Sequence, residues 1–504
     1  MPNYLYDYLL SPHFNDDCLF LKGLDSKSIT YREFFKLASS QAHALTQKGL
    51  KPGDRLIVQA DKSFEALGLY AACIMTGIVL VPLNTAYTLT ELVYYIDDGD
   101  VRGIVCSSAT ASSMQDAIRK PNLAIFTLDA DGSGTLMEEA RRQPRQFSVA
   151  DRMPNDVAAI LYTSGTTGRS KGAMLTHANL LSNAQALKQL WHFTSDDVLL
   201  HALPLSHIHG LFIACNVMLL AGGAMLFLPK FDLDQVFEML PEATSMMGVP
   251  TFYDRLLNDD RLTRDAVAGM RLFISGSAPL RSETFDAFEK RTGHRILERY
   301  GMTETNITAS NPYNGERRAG TVGLPLPGVE LIITDPETGE PLSKGEAGMI
   351  EVRGPGVFAG YWRMPEKTEA ELRKNGFFIT GDIGKLDANG YVHIVGRAKD
   401  LIISGGLNVY PKEIELLLDA QPGVVESAVV GVPHSDFGEA VLGIIVAQPG
   451  VAPDLELIAQ TVSASLANFK RPKKLVLLEE LPRNAMGKVQ KSLLRVRFKS
   501  TFSQ

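Results

Sequence analysis

A chain of 504 residues is long enough for several structural units at about 100–200 residues each. Its 45% hydrophobic and 21% charged residues are ordinary for a globular protein and exclude large-scale disorder. With 50 Lys+Arg against 57 Asp+Glu, the formal charge of −7 excludes a global electrostatic grip, so no nucleic-acid partner is expected.

The opening MPNYLYDYLLSPHFNDD has no basic region ahead of an apolar core, and its aspartates argue against a targeting segment. Cys18, Cys73, Cys106 and Cys215 form no close pair, which points away from a disulfide framework or a CxxC metal site. A reducing, cytoplasmic setting is expected. Residues 56–58 and 79–83 read as strands, with a helix over 64–75 between them. Thr88 and Glu91 have the spacing of a capping box, followed by an amphipathic turn and a strand at 104–106. Further apolar runs fall at 157–162, 224–228 and 272–275. Two stretches, 66–83 and 210–229, approach the length of a spanning helix, but their glycines and prolines suit strand–turn–helix breaks. No membrane insertion is expected. The alternation predicts an α/β fold with mostly parallel sheets covered by helices. From 322 onward Gly, Pro and short β-type runs predict a small β-rich unit, reaching to about 395. A helix at 412–418 and strands at 427–432 and 441–447 predict a small C-terminal α+β domain.

The stretch Thr163-Ser164-Gly165-Thr166-Thr167-Gly168-Arg169-Ser170-Lys171-Gly172 follows an apolar strand and precedes a helix that Thr176 can cap. Glycines admit backbone N–H groups close to an anion, hydroxyls donate further hydrogen bonds, and Lys171 supplies a point charge. This is a phosphate cradle. It lacks the Walker A spacing, as does Gly487-Lys488, which Val489 follows.

TSGTTGRSKG at 163–172 resembles the phosphate loop of the adenylate-forming superfamily of acyl-CoA synthetases, luciferases and peptide-synthetase adenylation domains. LPLSHIHG at 203–210, YGMTE at 300–304, TGD at 380–382, GRAKDLIISGGLNVYP at 396–411 and PRNAMGKVQK at 482–491 follow in the family's order. Each motif is weak alone; their ordered co-occurrence across nearly the whole chain is specific. The detail is most similar to bacterial malonyl-CoA synthetases. The resemblance implies an N-terminal adenylation domain over 1–397, a mobile C-terminal domain over 398–504, and a hinge at Lys399.

The implied reaction has two steps. A carboxylate attacks the α-phosphate of ATP, giving acyl-AMP and pyrophosphate. The thiol of coenzyme A then displaces AMP. By the same resemblance Lys488 bridges carboxylate and α-phosphate, Thr303 donates to that phosphate, and Glu304 holds Mg2+. One carboxylate suffices, because Mg2+ keeps waters and phosphate oxygens in its shell. Tyr300 stacks on adenine, with Arg299, Gly301 and Met302 counted in the same nucleotide site. Gly276, Ser277 and Ala278, at the carboxyl end of a strand, resemble the adenine-side loop. Asp382 and Arg397 match the ribose contacts, although Gly381-Asp382 also suits a plain turn. Gly405 and Gly406 face the pantetheine arm of coenzyme A. His207, in the loop with His209, lies near the acyl pocket.

Arg255 is the expected discriminator of the acid. An apolar acyl pocket has no use for arginine, whereas a dicarboxylate needs a bidentate partner for its second, desolvated carboxylate. The matching arginine in malonyl-CoA synthetases holds that group, with Ser277 assisting. Malonate is therefore the expected acid, with methylmalonate as a further substrate. The other readings are a synthetase for another small acid, an adenylation enzyme feeding a carrier protein, and a nucleotide-binding regulator without chemistry. A lysine-modifying enzyme acting on Lys488 is the one expected protein partner.

Overall fold

The computed structural model describes residues 3–24, 27–114, 122–163, 170–404, 407–434, 436–484 and 487–502. Chain contacts divide it into two compact units, Met1–Glu330 with Val352–Phe378, and Leu331–Glu351 with Ile379–Gln504.

The first unit holds two large sheets. One has six strands in the order Ala124–Thr127, Gly103–Cys106, Arg55–Gln59, Val79–Pro82, Val157–Thr163, Lys171–Thr176. All its neighbours are parallel except the last pair, which is antiparallel. The second sheet has nine strands. Leu297–Met302, Leu272–Ser275, Ser245–Gly248, Val198–His201, Ala224–Phe227 and Leu19–Lys22 run parallel at its centre. Val79–Pro82, Gly103–Cys106 and Ala224–Phe227 are buried at every position. Strands covered on both faces read as continuous apolar runs, which is why these segments were legible as strands. The expected α/β class with mostly parallel sheets holds.

Local chemistry sets the helix ends. The Thr88–Glu91 capping box forms at the start of Leu89–Asp98, with both reciprocal hydrogen bonds present. Thr176 and Asn179 make a second box at the start of His177–Leu190. The two stretches tested as membrane spans are broken as anticipated. Phe64–Thr76 ends on Gly77 and Asn216–Ala221 on Gly222, each left-handed with φ of 69° and 76°. Among the described residues no helix is long and apolar enough to cross a membrane. Immediately before Asn216 the chain runs as a π-helix, His209–Cys215, and Asn216 accepts a 2.9 Å hydrogen bond from Tyr70.

The second unit holds two smaller sheets. Four strands run Glu330–Thr334, Gly348–Arg353, Phe378–Leu386, Val392–Arg397. Five others comprise Leu407–Val409, Ile402–Ser404, Gly438–Ala447, Val424–His434 and Lys474–Leu478. Ile414, Leu418, Val429, Val441 and Ile458 are buried together between helices and this sheet. The expected boundary at 397/398 follows chain order. Chain contacts group Leu331–Glu351 and Ile379–Arg397 with the C-terminal sheet, and the 3-10 turn Ala398–Asp400 joins Val392–Arg397 to Ile402–Ser404.

Thr88→Ala removes one capping bond and leaves the orphan N–H of Glu91 to solvent. A loss of about 1 kcal/mol is expected, read as a lower urea midpoint with unchanged circular dichroism.

Candidate active site

The first cluster surrounds the phosphate loop. Residues Ser164, Gly165, Thr166, Thr167 and Gly168 lie outside the described residues. Thr163 ends one strand and Lys171 begins the returning one, so both are placed. The loop therefore joins two antiparallel strands, and the helix that follows starts at His177 with Thr176 as its cap, as expected. The returning strand is stitched to a distant segment. Trp362 N–H donates to Gly172 C=O at 2.7 Å, Met174 N–H to Gly360 C=O at 3.0 Å, and Ala359 N–H to Met174 C=O at 2.9 Å. Phe358 N–H donates to the Glu304 carbonyl at 2.8 Å, so the same segment also pins the YGMTE run.

This stitching places Tyr361 between Lys171 and Glu304. Lys171 Nζ donates to the Tyr361 hydroxyl at 3.0 Å and pairs with Glu371 Oε2 at 3.3 Å. The Tyr361 hydroxyl lies 2.7 Å from Glu371 Oε2 and 3.0 Å from Glu304 Oε1. Thr163 Oγ1 donates to Glu304 Oε1 at 3.4 Å. Burial, then the neighbouring carboxylates, pushes the Tyr361 hydroxyl well up, so it stays protonated. Burial alone would raise the Glu371 carboxyl. Hydrogen bonds from Lys367 and Tyr361 and the Lys171 charge outweigh it and hold the pKa down. Glu304 is buried, and Thr303 and Tyr300 beside it are half-buried. A Cβ on Gly301 would fall on the Asn306 backbone, which explains the glycine. The hard oxygens around Glu304 suit Mg2+. Among the described residues no group of three His, Cys, Asp or Glu could hold a metal ion by itself.

The second cluster lies at the carboxyl ends of the nine-stranded sheet's central strands. Gly276, Ser277 and Ala278 follow Leu272–Ser275, and Ser277 adopts φ of 70°. Its hydroxyl sits 3.2 Å from His209 Nδ1. His209 N–H donates to His207 Nδ1 at 3.2 Å, which leaves the His207 proton on Nε2. Burial and the Arg299 charge push His207 down to about 4 and His209 well below its ordinary value, so both are neutral at pH 7. Lys62 holds this loop from behind. Its Nζ bonds His201 Nδ1 at 2.7 Å, and His201 Nε2 bonds Gly210 C=O at 2.8 Å.

Arg299 is the unexpected member. It is 5% exposed, and its Nε and Nη2 meet no acceptor among the described residues. Burial pushes its guanidinium down to about 9, which leaves it charged at pH 7. It packs so closely on Gly276 that a Cβ there would collide with it. Arg255, by contrast, is exposed on the helix Pro250–Leu257, whose inward residues are Tyr253 and Leu256. The structure leaves Arg255 in solvent and puts Arg299 in the buried cationic position.

The third cluster belongs to the second unit. Asp382 lies within the strand Phe378–Leu386 and opposite Arg397 in register, with Arg397 Nε 2.6 Å from Asp382 Oδ1. Asp382 is thus a buried strand residue, not a turn-former. Lys399 is exposed in the 3-10 turn that follows. Lys488 is held by a tight turn in which its N–H donates to Asn484 Oδ1 at 3.0 Å and its C=O accepts from Asn484 N–H at 3.0 Å. Its side chain keeps an exposed surface, yet its ammonium is crowded. Loss of hydration, then the Arg397 and Lys399 charges, pushes it down to about 8, against Asp382 and Asp400 acting upward. Gly405 and Gly406 lie outside the described residues. Tyr361, Glu371 and Lys62 carry no motif and were not singled out in the sequence.

Residues 13–362 match the family model described as AMP-binding enzyme, and 413–488 match AMP-binding enzyme C-terminal domain. The malonate–CoA ligase of Arabidopsis thaliana is 35% identical over 89% of this chain and 78% of its own. A long-chain-fatty-acid–CoA ligase of Bacillus subtilis is 32% identical over 92% and 89%. The crystal structure of ATP-bound MatB from Rhodopseudomonas palustris superposes with a TM-score of 0.98, at 52% identity over all of both chains. The chain belongs to the AMP-binding enzyme family.

Proposed function

We propose that the protein is a malonate–CoA ligase, forming malonyl-AMP from ATP and then malonyl-CoA, with methylmalonate as a second substrate. The observation that carries the acid's identity is Arg299, a buried guanidinium with unpaired donors beside Ser277 and His209. Such a group is costly unless an anion meets it. Relatives of similar identity act on malonate and on long-chain fatty acids by name, so overall identity does not choose the acid. A fatty acid has no second carboxylate for Arg299, whereas malonate has one. Ser277 and the neutral His207 and His209 supply further donors without a second charge.

Adenylation requires a carboxylate oxygen to attack the α-phosphorus while pyrophosphate leaves. In this reading Thr163, Lys171 and the residues 164–168 hold the polyphosphate, and Thr303 donates to the α-phosphate. Glu304 would hold Mg2+, which neutralises phosphate charge when bound. Tyr300, Met302, Gly301 and the 276–278 loop flank the base, and Asp382 with Arg397 holds the ribose. Lys488 bridges the two reacting anions. In the second step the thiol attacks the carbonyl and AMP leaves, with the segment at 405–406 against the pantetheine arm. Rotation at Lys399, in the turn between the second unit's two sheets, exchanges the two half-reactions. A cytoplasmic setting fits the four unpaired cysteines. The exposure of Lys488 leaves it open to a lysine-modifying enzyme, which would remove the charge that adenylation needs.

Pyrophosphate exchange with malonate, methylmalonate, acetate and benzoate tests the acid. Arg299→Leu is expected to cut malonate-dependent exchange by about 30-fold or more, the loss of a buried ion pair. Arg255→Leu should leave it within about threefold. Equal losses, or a larger loss for Arg255→Leu, would move the carboxylate site back to Arg255. Lys488→Ala should abolish adenylation and spare thioester formation from supplied malonyl-AMP. Because Lys488 is a cation only below its pKa, adenylation should fall as pH rises through about 8. The same limb should move to higher pH in Lys488→Arg.

A further inference from the structure

We propose that Glu371 is a resident counter-anion that Lys171 exchanges for the polyphosphate of ATP, with Tyr361 as the positioning residue that ties this exchange to Glu304. The inference rests on the reading of Lys171 as a phosphate ligand and goes beyond it.

Lys171 is not a waiting cation. Its side chain is 13% exposed and sits 3.3 Å from Glu371 Oε2 and 3.0 Å from the Tyr361 hydroxyl. Its ammonium also lies over the Tyr361 ring, 4.2 Å from the centroid. An ammonium has three donors, and these partners use two of them. A polyphosphate must therefore displace a carboxylate before it gains the full charge of Lys171.

Glu371 is built to be displaced. Its other oxygen, Oε1, pairs with Lys367 at 2.7 Å, one helical turn away. When Lys171 leaves, the Glu371 charge is still met, so its release strands no buried anion. Tyr361 links the two sides. Its hydroxyl has one proton, and both Glu371 Oε2 and Glu304 Oε1 lie within reach. With Lys171 turned to phosphate, that proton is free to settle on Glu304. The hydroxyl is fixed in place by backbone bonding on both sides, through Trp362 to Gly172 and Tyr361 N–H to Thr368 Oγ1 at 2.9 Å.

Calorimetric titration of the full chain with MgATP reads the exchange directly. Glu371→Gln removes the competing charge at constant size and should tighten binding about fivefold, the scale of one partly exposed ion pair. Lys367→Met removes the rival cation, should strengthen the Glu371 grip on Lys171, and should weaken binding. The Glu371→Gln gain should vanish in a Lys171→Met background, because the two residues then have nothing to exchange. A residue that merely supports the fold would weaken binding in every variant. Trinitrobenzenesulfonate labelling of Lys171, mapped by mass spectrometry, is a second readout. Glu371→Gln should raise its labelling, MgATP should suppress it, and neither measurement needs turnover. Unchanged or weaker binding in Glu371→Gln, with unchanged Lys171 labelling, overturns the proposal. Loss of malonate-dependent exchange in the unmodified chain would instead overturn the functional reading.

Discussion

Taking a guanidinium out of water is among the most costly things a fold can do, and the site is organised around one. Arg299 is buried on the strand Leu297–Met302 with donors left open, against a glycine that clears space for it. Burial, and then its charge, depresses His207 and His209, so the histidines beside it serve as neutral donors and acceptors. Ser277 bonds one of them from a left-handed backbone position. Lys62 and His201 brace the loop from the far side. The anion proposed opposite Arg299 would meet the donors that its neighbours leave open.

The net charge of −7 gives little guidance to any of this. Of the cations expected to meet the anionic ligands, two are already paired with carboxylates of their own units. Lys171 pairs with Glu371, and Arg397 with Asp382. Arg255 faces water, and loss of hydration, then the Arg397 charge, lowers the Lys488 pKa. Within each unit, then, one of these cations is already neutralised by a carboxylate. A composition average cannot report that, because it counts charges without their partners.

Elements governed by nearby residues were readable. Capping boxes, apolar strands and the glycines that end helices all act within a few positions. The buried arginine proposed to meet the acid was not readable from local pattern. Arg255 is two residues after Tyr253 and one before Leu256, so helical phase alone turns it away from their buried face. Arg299 needs a glycine from the neighbouring strand to explain it, and no local pattern supplies that. Tyr361 and Glu371 were silent because their partner Lys171 lies about two hundred positions earlier.

The π-helix His209–Cys215 has an evolutionary consequence. A π-turn is an α-helix carrying one extra residue, and it gives up hydrogen-bond quality to do so. Deleting one residue there would restore α geometry and a better backbone ladder. It would also rotate everything downstream by about 100° relative to His209. Asn216 would leave Tyr70, and Cys215 would leave its position beside His201. In this chain the side chains that flank the π-turn depend on its register. Shortening this segment is a step that backbone hydrogen bonding alone would favour and that these side-chain contacts oppose.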